Sequence, residues 1–72
     1  MTQDILTKYI ELNTFLGITG AANTGGSAKL IIRSGAVKVN GITETRNKRK
    51  LHAGNVVEYL WKKNIVKEEM IR

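Results

Sequence analysis

The feature that most constrains this fold is an Asn-Gly pair flanked by alternating residues. Asn40-Gly41 lies at the centre of the segment 36–45. Asn-Gly is the strongest short hairpin signal, because both turn positions require a positive φ. Successive strand residues point to opposite faces, so Val37 and Val39 are predicted to face the core and Lys38 the solvent. The sequence therefore predicts an antiparallel hairpin near the middle of the chain.

The N-terminal part of the chain predicts a strand followed directly by a short helix. The segment 5–10 is rich in β-branched and aromatic residues, which favours a strand. Leu12, Phe15 and Leu16 then follow the i, i+3, i+4 spacing of one helical face. Asn13 is a candidate cap for this helix.

A second helix is predicted between two glycine signals. It should begin near Gly26–Ser27 and end at Gly35, because glycine commonly terminates helices in the left-handed conformation. The segment 20–26 before it contains three glycines and predicts a loop. One face of this helix is apolar, and the opposite face carries two cations four positions apart. The apolar residues are Ala28, Ile31 and Ile32, and the cations are Lys29 and Arg33.

The segment after the hairpin carries four cations in five residues. This segment, 46–50, is too polar to bury and predicts a loop, so replacing its cations should leave the fold intact. Leu51 begins an apolar segment, Gly54-Asn55 predicts a turn, and 56–61 has the pattern of a final strand.

The C-terminal residues differ from the rest in pattern. Residues 62–72 mix charges of both signs, and Val66 and Met70 have the i, i+4 spacing of a short helix. We therefore expect a single domain over residues 1–61 and a C-terminal tail over residues 62–72.

Composition excludes several classes of protein. The chain has 72 residues, which suffices for one small domain, and no cysteine, so neither a disulfide nor a thiolate site is available. No apolar run approaches the roughly 18 residues that span a bilayer, and no signal-peptide pattern is present. We expect a soluble cytoplasmic protein that does not bind membranes.

The side chains needed for catalysis or metal binding do not form a set. His52 is the only histidine, and the six acidic residues are dispersed, so neither a metal-ligand group nor a Ser-His-acid triad is predicted. Gly20 and Gly25 have the glycine spacing of a phosphate-binding P-loop, but Gly26 stands where that motif requires lysine. We expect no enzyme activity, no metal and no cofactor.

Positive charge is concentrated in the middle third of the chain. Residues 29–50 carry a net charge of +6, against −1 for residues 1–28 and +1 for residues 51–72. A surface without a polyanionic partner usually mixes the two signs, so this distribution favours nucleic acid or another polyanion. We expect the seven cations of this third to converge on one surface.

These segments occur in a fixed order over residues 9–60. The run 26–41 reads Gly-Ser-Ala-Lys-Leu-Ile-Ile-Arg-Ser-Gly-Ala-Val-Lys-Val-Asn-Gly. This order resembles the ribosomal-protein-S-four-type RNA-binding domain, also called the alpha-L motif, and within that family the stand-alone YaaA-like bacterial proteins. The chain departs from the pattern at Ala28, where many members have arginine. Further matching positions are Leu12, Phe15 and Leu16 in the first helix, and Leu51, Gly54, Val56 and Val57 in the closing turn and strand.

The resemblance implies an α+β fold of two short helices packed on a small, mostly antiparallel sheet. It implies a non-catalytic domain that binds structured RNA, with rRNA or tRNA on a ribosome as the expected partner, and we expect a monomer. In such domains the second helix and the segment after the hairpin form the RNA-facing surface. The corresponding positions here are Ser27, Lys29, Arg33, Lys38, Arg46, Lys48, Arg49 and Lys50.

Several alternatives stay open at the level of sequence. Positive charge also suits duplex DNA or an acidic protein partner. Tyr59 and Trp61 offer stacking surfaces for bases, although a small core needs most of its aromatic residues. The N–H groups of 25–27 either bind a phosphate at the helix start or are capped by Thr24 or Ser27. The side chains of Asn40 and Asn47 are candidate polar contacts to RNA, although Asn40 is more simply explained as a turn residue.

Overall fold

The computed structural model describes residues 8–22, 25–60 and 62–71. Within these ranges six short strands and two α-helices follow one another, and a single 3-10 turn closes the sequence of elements. In chain order they are β1 (Ile10–Glu11), α1 (Leu12–Ile18), α2 (Gly25–Arg33), β2 (Val37–Val39), β3 (Ile42–Thr43), β4 (Lys50–Leu51), β5 (Val56–Tyr59), β6 (Lys62–Ile65) and the 3-10 helix Glu68–Met70.

The strands form two antiparallel sheets. Four strands pair in the order β3-β2-β5-β6, and β1 pairs separately with β4. The β2–β3 connection is the predicted hairpin, since Asn40 has φ 52° and Gly41 has φ 83°, both in the left-handed region that the turn requires. The predicted antiparallel hairpin is confirmed.

The core lies between the two helices and one face of the larger sheet. Val37 and Val39 on β2 face Tyr59 and Val57 on β5 in the antiparallel register, and Lys38 between them is exposed. Alternation along β2 therefore places the valines in the core and the lysine in solvent, as predicted. The buried apolar residues are Ile10, Leu12, Phe15, Leu16, Ala22, Ala28, Ile32, Val37, Val39, Leu51, Val57 and Val66. The predicted α+β class, two helices with small antiparallel sheets, is confirmed.

Both predicted helices are present. Ala28 and Ile32 on α2 are fully buried, whereas Lys29 and Arg33 on the other face are exposed. The helix ends with Gly35 at φ 84°, whose N–H donates to the carbonyl oxygen of Ile32. Glycine terminates the helix here because this left-handed backbone strains any side chain.

Three details of the N-terminal half differ from the prediction. The first described strand comprises only Ile10–Glu11, and the earlier part of the segment 5–10 lies largely outside the described residues. Asn13 does not cap α1. It lies inside the helix, where its Oδ1 accepts the N–H of Thr14, and Glu11 occupies the cap position without a side-chain hydrogen bond. The α2 helix already begins at Gly25, and Thr24, the alternative cap, lies outside the described residues.

The C-terminal residues differ from the prediction in secondary structure, because a strand precedes the short helical turn. Residues 62–65 form β6, which pairs antiparallel with β5, so the strand that begins at Val56 is not the last one. Among residues 62–71, which the structure describes, the only helical turn is the 3-10 helix Glu68–Met70. The boundary predicted after residue 61 therefore falls between two paired strands of one sheet.

Tertiary contacts explain why the helical spacing in the tail was misleading. Val66 is buried in the core, and its N–H donates to the carbonyl oxygen of Asn55 at 2.8 Å. Its own carbonyl oxygen accepts the N–H of Gly54, also at 2.8 Å. Val66 is therefore held by the turn before β5 rather than by a helix through Met70. Trp61, for which the sequence leaves core packing and base stacking open, lies outside the described residues.

Candidate nucleic-acid interface

Residues 44–50, here called the basic loop, run from the end of the hairpin to the first residue of β4 and carry four of the predicted site residues. Backbone hydrogen bonds fix this loop at both ends. The N–H of Glu44 donates to the carbonyl oxygen of Val37 at 2.9 Å. At the other end the carbonyl oxygen of Arg49 accepts the N–H of Leu12 at 2.9 Å, and that of Asn47 accepts the N–H of Asn13 at 3.1 Å. The loop therefore has a defined backbone conformation.

Glu44 is a buried carboxylate on which two arginines meet. Its residue surface is only 7% exposed. Oε2 accepts Arg46 Nε at 2.9 Å and the Arg46 backbone N–H at 2.9 Å, and Oε1 accepts Arg46 Nη2 at 3.1 Å. Arg49 Nη1 donates to the same Oε1 at 2.7 Å. One carboxylate thus pairs with two guanidinium groups at the base of the loop.

The hydrogen bonds of this cluster shift the pKa values of Glu44 and Arg46. The side-chain hydrogen bonds of Arg46, followed by its backbone N–H and by Arg49, hold the pKa of Glu44 at about 2, below its ordinary 4.5, although burial acts in the opposite direction. The same contact with Glu44 raises the pKa of Arg46. Glu44 and Arg46 are therefore charged at neutral pH.

The two arginines differ in how much of their side chain reaches solvent. The side chain of Arg46 is 73% exposed and that of Arg49 is 32% exposed, against 8% for Glu44. Arg49 also donates from Nε to the carbonyl oxygen of Lys50 at 3.3 Å. The carboxylate is covered, while both arginine side chains keep part of their surface in solvent.

The two lysines of the basic loop lie outside this cluster. Lys48 is exposed in the turn of the loop. Lys50 lies in β4 opposite Glu11 of β1, and its Nζ is 5.1 Å from the ring centroid of Tyr9, within the range of a cation–π contact. With these lysines the loop presents four cations against one carboxylate.

The predicted residues on α2 form a second group of cations. Lys29 and Arg33 are exposed one helical turn apart, and Ser27 is half-buried in the first turn. Arg33 lies in the last turn, where the helix dipole favours a positive charge.

Lys38 has different surroundings from the other predicted cations. It is exposed on the face of the larger sheet that points away from the core. In the register its neighbours are Thr43 on β3 and Glu58 on β5, and Glu58 in turn lies opposite Lys63 on β6. Charges of both signs therefore alternate across this face.

The family was identified from the sequence as a whole. The model of the S4 domain family matches residues 4–68, almost the full chain. This chain belongs to the S4 domain family. The resemblance to the ribosomal-protein-S-four type is thereby confirmed, and the matched range includes β6 as well as the residues up to β5.

Two curated relatives of this S4 domain come from enteric bacteria. The chain is 39% identical over 51 residues to the Escherichia coli (strain K12) protein "Putative RNA-binding protein YbcJ". The aligned segment covers 71% of this chain and 73% of that protein. The Shigella flexneri protein "Uncharacterized protein YbcJ" matches with the same identity and coverage. No solved structure matches the chain.

Glu44 is the residue of this S4 domain that sequence reasoning missed. The net charge of the middle third includes Glu44 only as one unit of its sum, and the pattern of residues 46–50 predicts that the fold tolerates replacement of their four cations. The structure contradicts the basis of that prediction for Arg46 and Arg49, because both pair with a buried carboxylate that their removal would leave without its partners. The available signal was one acid placed two and five residues before two arginines.

The structure also shows the contacts and burial of the remaining candidate residues of the S4 domain. Asn40 is the turn residue, and its Oδ1 accepts the N–H of Val56 at 2.9 Å. Asn47 Oδ1 is shielded from solvent and is without a hydrogen-bond partner among the described residues, so it is poorly placed to contact RNA. Tyr59 is half-buried and packs against the core. His52 is exposed, with Nδ1 3.0 Å from the carbonyl oxygen of Lys8, to which a protonated Nδ1 donates.

The residues that the structure describes form neither a metal-binding group nor a helix that could cross a membrane. Across 8–22, 25–60 and 62–71, no three acidic or histidine side chains come together as a metal-binding group. Neither helix in these ranges has the length and apolar character that crossing a membrane requires.

Proposed function

We propose that this S4 domain binds structured RNA through the basic loop and the outer face of α2. The observation that carries the proposal is the basic loop itself: it carries four cations on a backbone fixed at both ends. Family membership and the name of the E. coli relative support the same function. The contact residues would be Ser27, Lys29 and Arg33 on α2 and Arg46, Lys48, Arg49 and Lys50 in the loop.

Recognition would depend on the shape and backbone of the RNA. The major groove of A-form RNA is deep and narrow, so phosphates and 2′-hydroxyl groups are the accessible partners. Lysine and arginine neutralise phosphates and release counterions, and a rigid loop does this with little ordering cost. Cations on a preorganised loop are therefore suited to folded RNA.

Lys38 has a secondary place in this proposal. Glu58 lies beside it in the sheet register and offsets part of its attraction for phosphate. Lys38 would contact RNA only where the RNA extends past the edge of the hairpin. Replacement of Lys38 should therefore weaken RNA binding less than replacement of Lys48.

The expected RNA is rRNA or tRNA, encountered on the ribosome. This part of the proposal follows from the family resemblance and not from the geometry. Crosslinking in cells, followed by sequencing of the bound RNA, would test it. Recovery of rRNA or tRNA fragments above background supports the proposal, and recovery of mRNA alone contradicts it.

The salt dependence of binding tests the electrostatic mechanism. If about five phosphates are contacted, the slope of log affinity against log salt is roughly −4, which is a loss of a few hundred-fold between 50 and 200 mM salt. Fluorescence anisotropy with bulk tRNA and with a ribosomal RNA fragment measures this slope. An affinity that barely changes over this range would contradict phosphate recognition.

A charge-matched pair of double variants tests the location of the site. Lys29→Ala/Lys48→Ala removes two proposed contacts, and Lys62→Ala/Lys67→Ala removes two exposed cations elsewhere. The first variant should make the salt slope shallower by about 2, and the second should leave it near that of the parent. Equal losses in both variants would mean that total charge, rather than this surface, determines binding.

Competition distinguishes the rival partners. A DNA duplex of matched length should displace bound RNA poorly if the A-form shape is recognised. Equal competition by duplex DNA would favour a general duplex-binding module. Purification free of nucleic acid, together with tight binding of an acidic protein, would favour a protein-interaction module instead.

A further inference from the structure

We propose that Glu44 is a positioning residue for RNA binding, which holds the guanidinium groups of Arg46 and Arg49 side by side for contact with phosphates. The inference rests on the function proposed above. Glu44 is itself an anion, so simple electrostatics predicts that removal of its charge strengthens the binding of RNA. A positioning role predicts the opposite, a weaker binding.

The contacts show how one carboxylate orders both side chains. Oε1 of Glu44 accepts Arg46 Nη2 at 3.1 Å and Arg49 Nη1 at 2.7 Å, so the two guanidinium groups meet at a single oxygen atom. Oε2 accepts Nε of Arg46, so two hydrogen bonds fix one edge of that guanidinium on the carboxylate. The carboxylate is buried and the loop backbone is bonded at both ends, so the cluster has a rigid base.

Each arginine retains donors for a further partner. A guanidinium group has five N–H donors. Arg46 uses two of them on Glu44, and Arg49 uses one on Glu44 and one on the carbonyl oxygen of Lys50. Within the described residues these bonds leave three donors on each arginine. Phosphate is the matching acceptor, because its oxygens take charge-assisted hydrogen bonds from arginine.

The two guanidinium groups lie close together because they bond to the same oxygen atom of Glu44. Without the carboxylate, their positive charges would repel each other. The side chains would then move apart and lose their common orientation. Ordering them again on the RNA would cost conformational entropy that the folded protein has already lost through Glu44. The carboxylate therefore assists phosphate binding by geometry while it opposes binding by charge.

The variant Glu44→Gln separates these two effects, because it removes one negative charge and keeps the side-chain size. By charge alone it should bind RNA more tightly. By positioning it should bind about five- to tenfold more weakly, with a salt slope shallower by about 1, since one phosphate contact is lost. A partly unfolded variant would lose active protein without changing the slope.

The matched control is Glu58→Gln, which makes the same charge change beside Lys38 and away from the cluster. It should bind RNA as tightly as the parent or more tightly. Anisotropy with bulk tRNA measures all three proteins below their melting temperatures. The inference is overturned if Glu44→Gln binds as tightly as the Glu58→Gln control with an unchanged slope.

A second variant keeps the test decisive if Glu44→Gln does not fold. Arg46→Lys/Arg49→Lys retains both charges and removes the planar forks that share the carboxylate. We expect binding to weaken several-fold at constant net charge, and parent-like affinity and slope would overturn the inference. The parent protein tests the function separately: absence of RNA binding by the parent refutes the proposed function, whereas a binding parent with unaffected variants refutes only the role of Glu44.

Discussion

The carbonyl oxygen of Arg49 accepts the backbone N–H of Leu12 at 2.9 Å, so the loop that carries the cations also caps the first helix. The next N–H, of Asn13, donates to Asn47 at 3.1 Å. The first N–H groups of a helix have no partner within it, and Glu11 at the cap position supplies none from its side chain. The proposed binding loop is therefore also part of the structural framework.

Displacing the loop carbonyl groups should destabilise the protein even where no side chain is changed. Insertion of one glycine between Asn47 and Lys48 separates the two capping carbonyl groups, and loss of a helix cap costs about 0.5–2 kcal/mol. Urea denaturation monitored by circular dichroism measures the free energy of unfolding. Lys48→Gly is the control, because it changes the same exposed position without lengthening the loop and should cost less than about 1 kcal/mol. Equal stabilities for the two variants would show that the cap is dispensable.

Removal of Arg49 should reduce stability, unlike removal of its neighbour Lys48. Arg49→Ala takes one charged partner from the buried carboxylate of Glu44, and loss of a hydrogen bond to a charged group costs about 1.5–3 kcal/mol. Lys48→Ala should change stability by about 0.5 kcal/mol or less, because Lys48 is exposed in the turn. The free energies of unfolding in urea compare the two. A neutral Arg49→Ala would mean that Arg46 alone satisfies the carboxylate.

Stability should fall in acid because of Glu44. Its pKa is lowered from 4.5 to about 2 in the folded protein, so the folded state holds the charged form more strongly than the unfolded chain does. This contribution is fully present above about pH 4.5 and is lost as the pH falls toward 2. Thermal melts from pH 7 to pH 2 measure the effect.

The variant Glu44→Gln is the control for this pH dependence. It should be less stable than the parent at pH 7, because the two arginines lose their charged partner. Between pH 5 and pH 2 its stability should fall less steeply than that of the parent. Parallel pH profiles for the two proteins would assign the acid sensitivity to other carboxyl groups.

The last strand should be needed for stability. Val66 directly after β6 is 1% exposed, whereas the adjacent Ile65 is 57% exposed. Val66→Ala removes two buried methyl groups at about 0.8 kcal/mol each and also leaves a cavity, so we expect a loss of about 2 kcal/mol. Ile65→Ala should cost well under half as much, although it removes more atoms. Thermal denaturation measures the stability of both variants. A larger loss for Ile65→Ala than for Val66→Ala would contradict this packing.

Local pattern was sufficient for the elements whose cause is local. The Asn40-Gly41 turn follows from the backbone preference of those two residues, and the alternation of Val37, Lys38 and Val39 settles which face is buried. Gly35 ends α2 because it tolerates a left-handed backbone. The family likeness was also carried by the order of these local motifs.

Only the tertiary structure decided the features that join distant segments. No spacing in the sequence shows that carbonyl groups of Asn47 and Arg49 cap a helix that begins at Leu12, or that β6 adds to the sheet beside β5. Likewise, a count of charges along the sequence gives every cation the same weight. Folding distinguishes them, because it pairs Arg46 and Arg49 with Glu44 and leaves Lys48 exposed. The physical reason is that burial and hydrogen bonding depend on which groups meet in space, whereas turn and strand preferences act through neighbouring residues.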